Sequence, residues 1–255
     1  MKKLFLFTIT ISLAACYSQS VPSKIKNEKT EHTRTQADKI LADAIQAHGG
    51  SKYDKAQYQF VFRKKNYSFM NNGDQYKYEV RSMKGDTSIH DVLENGSFTR
   101  TKNGIAQNLS ARKISGYSNS LNSVIYFATL PHKLNDPAVN KEYKGTTTIK
   151  GKAYDILQIT FDKEGGGVDH DDTYYYWIGS EDHQIDFLAY SFHVNNGGVR
   201  FRSAQNKRNV NGIIFQDYIN YKAEVGTPLA DLPKLWEEGK LKKLSEILTE
   251  DVKAL

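Results

Sequence analysis

From Gln57 onward apolar and aromatic residues recur at every second position, and short turn signals interrupt the alternation again and again. Tyr58, Phe60 and Phe62 share one parity in QYQFVFRKK, and Tyr76, Tyr78 and Val80 share one in QYKYEVRSM. Side chains of an extended chain point alternately to opposite faces, so each run predicts a strand with one apolar face. The breaks NNGD, KGD and ENG are rich in residues that tolerate positive φ, which suits tight antiparallel connections. The same pattern returns in EYKGTTTIKG, KAYDILQITF, TYYYWIG, QIDFLAYSFHV, GVRFRSA and VNGIIFQDYINYKA. Nothing alternates strand with helix, which excludes a (β/α)8 barrel.

Helical spacing appears in three places. Thr35 with Asp38 forms a capping-box pattern, Ile40, Leu41, Ala44, Ile45 and His48 make one stripe, and Gly49-Gly50 supplies a stop. A helix over 36–48 follows, with His48 near the exposed carbonyls of its last turn. Ile114, Tyr117, Leu121, Val124, Ile125 and Ala128 predict a second helix over 110–130, ended by Pro131. Near the end, LADLPKLWEEGKLKKLSEIL carries two short amphipathic stretches broken near Gly239. The class is therefore α+β: a long antiparallel meander covered by a few helices.

The first residues belong to a different regime. Lys2 and Lys3 precede the apolar run LFLFTITISL, too short to span a bilayer, and LAAC follows. Residues 1–15 read as a signal peptide and Cys16, the only cysteine, as the lipidation site of a lipoprotein. Residues 16–35 are polar and aperiodic and read as a flexible tether, leaving 36–255 as a single domain that must hold together without disulfides. The residue after Cys16 is not aspartate, so the expected place is the cell envelope, on the outer membrane facing the periplasm. The formal net charge of +6 forms no dense basic block, and nucleic acid is not an expected partner.

The acidic stretch EGGGVDHDDTYYYW can be placed by pairing strands. Pairing across GSEDHQ sets His193 opposite Asp171, and a tight turn at NNGG then sets Arg200 opposite His193 and Arg202 opposite Ser191. Asp171, His193, Arg200 and Arg202 would form a polar cluster on one face with Thr173, Tyr175 and Trp177. Tyr174, Tyr176, Leu188, Tyr190, Phe192 and Phe201 would form an aromatic wall on the other, with Ile178 and Val199. A one-residue slip exchanges these faces. The wall is either core or a cavity for an acyl chain or another apolar ligand. The polar set admits an ion-pair ladder, a cation site with Asp169, Asp171 and Asp172, or a hydrolytic centre with His193 as base and Asp171 orienting it. Arg200 and Arg202 could instead grip a phosphate or carboxylate. No G-x-S-x-G, HExxH or C-x-x-C motif is present.

The stretches HGG, LPHKLNDPAVNKEYKG, TIKGKAYDILQITF, EGGGVDHDD, YYYWI, DFLAYSFHVNNGGVRFRSAQN and VNGIIFQDYINY resemble a family of uncharacterised exported lipoproteins of Gram-negative bacteria. That resemblance carries no established activity. The order of leading helix, antiparallel sheet, inserted helix and further sheet is also similar to the LolA/LolB-like half-barrels. This implies a large curved antiparallel sheet whose concave face, partly plugged by helices, holds acyl chains.

The leading expectation is a monomeric, lipid-anchored, non-catalytic binding protein for a hydrophobic or amphipathic ligand, a lipid or a lipoprotein client. It would use no cofactor, no metal and no catalytic residue. One alternative is a metal-assisted or hydrolytic envelope enzyme using Asp171, His193 and Arg200; another is an interaction scaffold in the envelope.

Overall fold

The computed structural model describes residues 35–164, 171–193 and 196–255. Cys16 with its leader, and Asp169 and His170 of the acidic turn, lie outside the described residues. Helix α1, Gln36–His48, begins with the expected reciprocal cap: Thr35 Oγ1 accepts from the Asp38 N–H at 3.2 Å, and the Asp38 carboxylate accepts from the Thr35 N–H at 3.1 Å. It stops at Gly49, whose φ of +139° and close approach to Ile213, 3.0 Å from where a Cβ would sit, both demand glycine.

The alternating segments form two sheets among the described residues, all of whose pairings are antiparallel. The first contains β1 (Gln57–Phe62), β2 (Lys65–Asn72), β3 (Gln75–Lys84), β4 (Thr87–Glu94), β5 (Ser97–Lys102) and β6 (Ile105–Ala106), each paired with its predecessor. Helix α2, Ala111–Ala128, leads to the second. That sheet contains β7 (Val139–Ile149), β8 (Lys152–Phe161), β9 (Thr173–Gly179), β10 (Ile185–Phe192), β11 (Gly198–Val210) and β12 (Ile213–Ala223). A 3-10 turn at Leu229–Asp231 and helix α3, Leu232–Glu237, follow. Then β13 (Lys242–Ile247) adds beside β12, and β14 (Glu250–Ala254) crosses to pair with β1. The chain is thus mostly antiparallel sheet with a few helices, as expected, and neither sheet closes into a barrel. Hydrogen bonding divides the expected continuous sheet into two of seven strands, joined through Leu248 and Thr249.

Two local expectations are corrected. QYQFVFRKK is not one strand: it turns at Arg63-Lys64, where φ is +49° and +61°. A two-residue hairpin with positive φ at both central positions ordinarily carries glycine or asparagine there, and without either the sequence gives no sign of it. The second amphipathic stretch near the C-terminus includes strand β13, because the edge of β12 offers backbone groups that a short isolated helix could not replace.

Among the described residues three apolar clusters hold the fold. Leu41 and Ala44 of α1 pack with Leu157, Ile159, Tyr176 and Leu188 on the inner face of the second sheet. Leu121 and Ile125 of α2 pack with Tyr58, Phe60 and Phe69 of the first, to which Phe215 of β12 also belongs. On the outer face of the second sheet, Trp177, Phe187 and Phe201 lie under Leu229, Leu232 and Trp236. The second sheet is therefore covered on both sides.

That double covering explains a register correction. The β9–β10 hairpin pairs as expected, Tyr174 with Tyr190 and Thr173 with Ser191. The β10–β11 connection does not: Gly198 faces Phe192, Arg200 faces Tyr190 and Arg202 faces Leu188. The expected pairings of Arg200 with His193 and Arg202 with Ser191 do not form. Relative to the expected hairpin the shift is odd, so Arg200 and Arg202 turn to the face of Tyr174, Tyr176 and Tyr190. Val199 and Phe201 turn to the outer face, where α3 gives them an equally apolar environment.

Candidate functional site

Between the two sheets and α2 lies a cavity of about 400 Å3. Its apolar walls come from three sources. Phe60 and Phe62 belong to β1, Val124, Phe127 and Ala128 to α2, and Tyr174, Tyr190 and Phe192 to β9 and β10. Gln216 and Tyr218 of β12, with Ile247 and Thr249 at the C-terminal crossing, complete it. Edge-to-face and stacked rings stiffen the wall: Tyr174 stacks on Tyr190 at 5.3 Å and meets Phe161 edge-on at 5.7 Å.

Among the described residues four charged side chains line this space: Arg63, Asp172, Arg200 and Arg202. Arg202 is the most buried arginine of the three, with 8% exposure. Its guanidinium lies 4.3 Å from the Phe127 ring centroid and donates from Nη2 to the Tyr190 hydroxyl at 3.0 Å. Its Nε has no hydrogen-bond partner among the described residues, and neither does the buried Oε1 of Gln216. Gln216 is fixed by its amide nitrogen, which donates to the Ile185 carbonyl and the Tyr218 hydroxyl. Arg200, half-buried, covers the Phe192 ring at 4.9 Å and donates to the Val199 carbonyl. Arg63 stands exposed at the hairpin tip, 5.1 Å from the Phe62 ring. Burial pushes the Tyr218 phenol up to about 12 and the Tyr176 phenol further, so both remain neutral hydrogen-bonding groups at ordinary pH.

The anticipated site residues separate into three places. Tyr174, Tyr190, Phe192, Arg200 and Arg202 meet at the cavity. Tyr176 and Leu188 share that face but are fully buried in the core beneath α1. Phe201, expected on the wall, belongs to the outer core beside Trp177 and Trp236. His193 is exposed and lines a separate outer groove with Thr173, Tyr175 and the 225–230 segment, and Asp171 is exposed. Thus Arg200 and His193, grouped in the polar cluster, face different spaces. Among the described residues no group of three or more His, Cys, Asp or Glu side chains is arranged to hold a metal.

Sequence reasoning missed the opposite wall. The parity of Phe60 and Phe62 was legible, but not that their face would meet β9–β12 across α2. Arg63 left no signal, since it sat inside an apparent strand. His48 differs too: it is fully buried, and its Nε2 accepts from the Ile185 N–H at 3.1 Å at the bulge in β10, instead of serving its own helix. Desolvation, then the nearby Lys207, lower its pKa to about 4.

No helix among the described residues is long and apolar enough to cross a membrane. Comparison with solved structures finds likenesses along most of the chain at low identity. A LolA superfamily protein from Nitrosomonas europaea shares 10% identity and a TM-score of 0.48, over 86% of this chain and 94% of that one. A DUF1329 family protein from Desulfovibrio piger shares 10% identity and a TM-score of 0.42, over 87% and 94%. No curated protein matches the chain. A family model matches residues 2–250, and the chain belongs to that family, a family of unknown function (DUF6503).

Proposed function

We propose that this protein is a non-catalytic binding protein of the cell envelope, anchored through a lipid on Cys16, that holds a hydrophobic or amphipathic ligand between its two sheets. The observation that carries the reading is the cavity of about 400 Å3 walled by Phe60, Phe62, Phe127, Tyr174 and Tyr190. Small-molecule sites span roughly 300–1,000 Å3, mostly apolar with a few placed polar groups, and this space has that composition. A hydrolytic reading is less well served, because Arg200 faces the cavity while His193 faces the outer groove. A lipid or the acylated end of a lipoprotein client has the chemistry the cavity accepts.

The test uses the full chain purified from envelope membranes beside Cys16→Ser. Native mass spectrometry and solvent extraction should find a bound apolar molecule, and the neutral dye N-phenyl-1-naphthylamine should brighten on binding. Ala128→Phe, which places a ring in the cavity from α2, should abolish the brightening. Dye binding unaffected by that substitution, in a variant that still melts cooperatively, refutes the cavity as the site. Recovery of wild type and Cys16→Ser in the same soluble fraction refutes the anchor.

A further inference from the structure

We infer that the cavity takes a single-chain anionic amphiphile, its carboxylate or phosphate held by Arg202 and Arg200 and its hydrocarbon chain laid along the aromatic wall. This deepens the ligand-binding reading and rests on it. Among the described residues the charged groups on the cavity wall are three guanidiniums and one carboxylate, a formal surplus of two positive charges facing an otherwise largely apolar space.

Arg202 is the decisive group. A guanidinium taken out of water needs its donors satisfied, and leaving one unmet costs more than an unmet neutral donor. The partners it does have are Tyr190, through its hydroxyl and its ring, and the Phe127 ring, all neutral. Among the described residues no carboxylate pairs with it, and its buried Nε is without a partner. The side chain is more than nine-tenths buried and lines the cavity. Among the described residues no acceptor completes it; one entering through the cavity can, and an anionic oxygen is the acceptor a guanidinium binds best.

Depth orders the arginines. Arg202 is buried, Arg200 half-buried and Arg63 exposed on a turn in the left-handed region, so positive charge runs from the interior to the mouth. A headgroup entering chain-first or head-first meets a cation at each depth. Taking a methylene to occupy the ~30 Å3 of one liquid water, the volume suits a chain of roughly a dozen carbons. That is too little for both chains of a diacyl lipid.

The experiment displaces the neutral dye from the purified full chain with dodecanoate, dodecyl phosphate, dodecanol, acetate and inorganic phosphate. Dodecanoate and dodecyl phosphate should bind at least about tenfold more tightly than dodecanol, and acetate and inorganic phosphate should not compete at matched concentration. Relative binding of dodecanoate and dodecyl phosphate tells a carboxylate source from a phosphate source. In Arg202→Met the preference of dodecanoate over dodecanol should fall to about one, and in Arg200→Gln, which leaves the buried position intact, it should fall part of the way.

A preference near one in the wild type, or one unchanged in both variants, overturns the inference while leaving ligand binding standing. Inorganic phosphate competing as well as dodecyl phosphate overturns it in favour of a simple anion site. If no dye or alkyl compound binds, the ligand-binding reading itself falls, and this inference with it.

Discussion

Lowering the pH from ~7.5 to ~5 should destabilise this fold through histidine, and His48 sets the size of the effect. Its imidazole is fully buried, and Nε2 must be unprotonated to accept the Ile185 N–H. Its pKa is about 4 in the fold against 6.5 in the free side chain. Between those values the unfolded chain binds a proton that the folded chain refuses. The stability of the neutral form is therefore complete above 6.5 and is lost as pH falls toward 4. At pH ~5 that difference amounts to about 2 kcal/mol, or a urea midpoint lower by about 1 M if the slope is about 2 kcal/mol/M. His132, stacked on Tyr53 at 4.5 Å and also lowered to about 4 by burial, should add a smaller share because it is partly exposed. The depressed carboxylates Asp38, Glu79, Asp182 and Asp186 do not enter this window. Their contribution is present above their unfolded values of 3.8 and 4.5 and is lost only as pH falls through still lower folded values. The assay is urea unfolding followed by tryptophan fluorescence at both pH values, in wild type and His48→Gln. The glutamine amide oxygen can still accept from Ile185 but does not titrate. Most of the pH difference should vanish in the variant, and an equal loss of stability in both proteins would refute the assignment to His48.

Two further outcomes separate structure from site. Asp91, buried to 6% exposure, holds Arg100 through two hydrogen bonds of 2.5 and 2.6 Å, with the guanidinium 3.4 Å from the centroid of the Tyr117 ring on α2. Asp91→Asn should cost about 3 kcal/mol in chemical denaturation, and a loss under about 1 kcal/mol would mean that the pair contributes no more than a surface ion pair. Phe201→Ala should cost about 3–5 kcal/mol by the same measurement yet leave dye affinity unchanged, since its ring lies in the outer core. Weakened dye binding in a folded Phe201→Ala protein would contradict the register of β11.

The strands were legible because period-two alternation is a local property of an extended chain. TYYYWIG and KAYDILQITF became β9 and β8, and the capping box at Thr35 and the glycine at 49 bounded α1 as expected. The cavity was half legible. The β9–β10 hairpin alone places Tyr174 and Tyr190 on one wall, and the structure stacks them. The expected hairpin sets Arg200 and Arg202 on the opposite face from the one they occupy, because Val199 and Phe201 satisfy the same alternation whichever face they take. In a sheet exposed on one side that ambiguity would not arise, since one choice would leave Phe201 in water. Here α3 and the Leu229 turn bury the outer face as completely as α1 buries the inner.

By itself, then, the sequence determined the antiparallel meander, the bounds of the first helix and the parity of strands such as β3, β8 and β9, all set by interactions within a hairpin or a helical turn. Only the tertiary structure decided that the meander divides into two sheets, that β14 returns to β1, and that three arginines and an aromatic wall share one cavity. Those outcomes depend on which apolar faces are buried against each other. Alternation labels a face as apolar but does not name its partner, and free energy of burial is indifferent to which apolar surface supplies the cover.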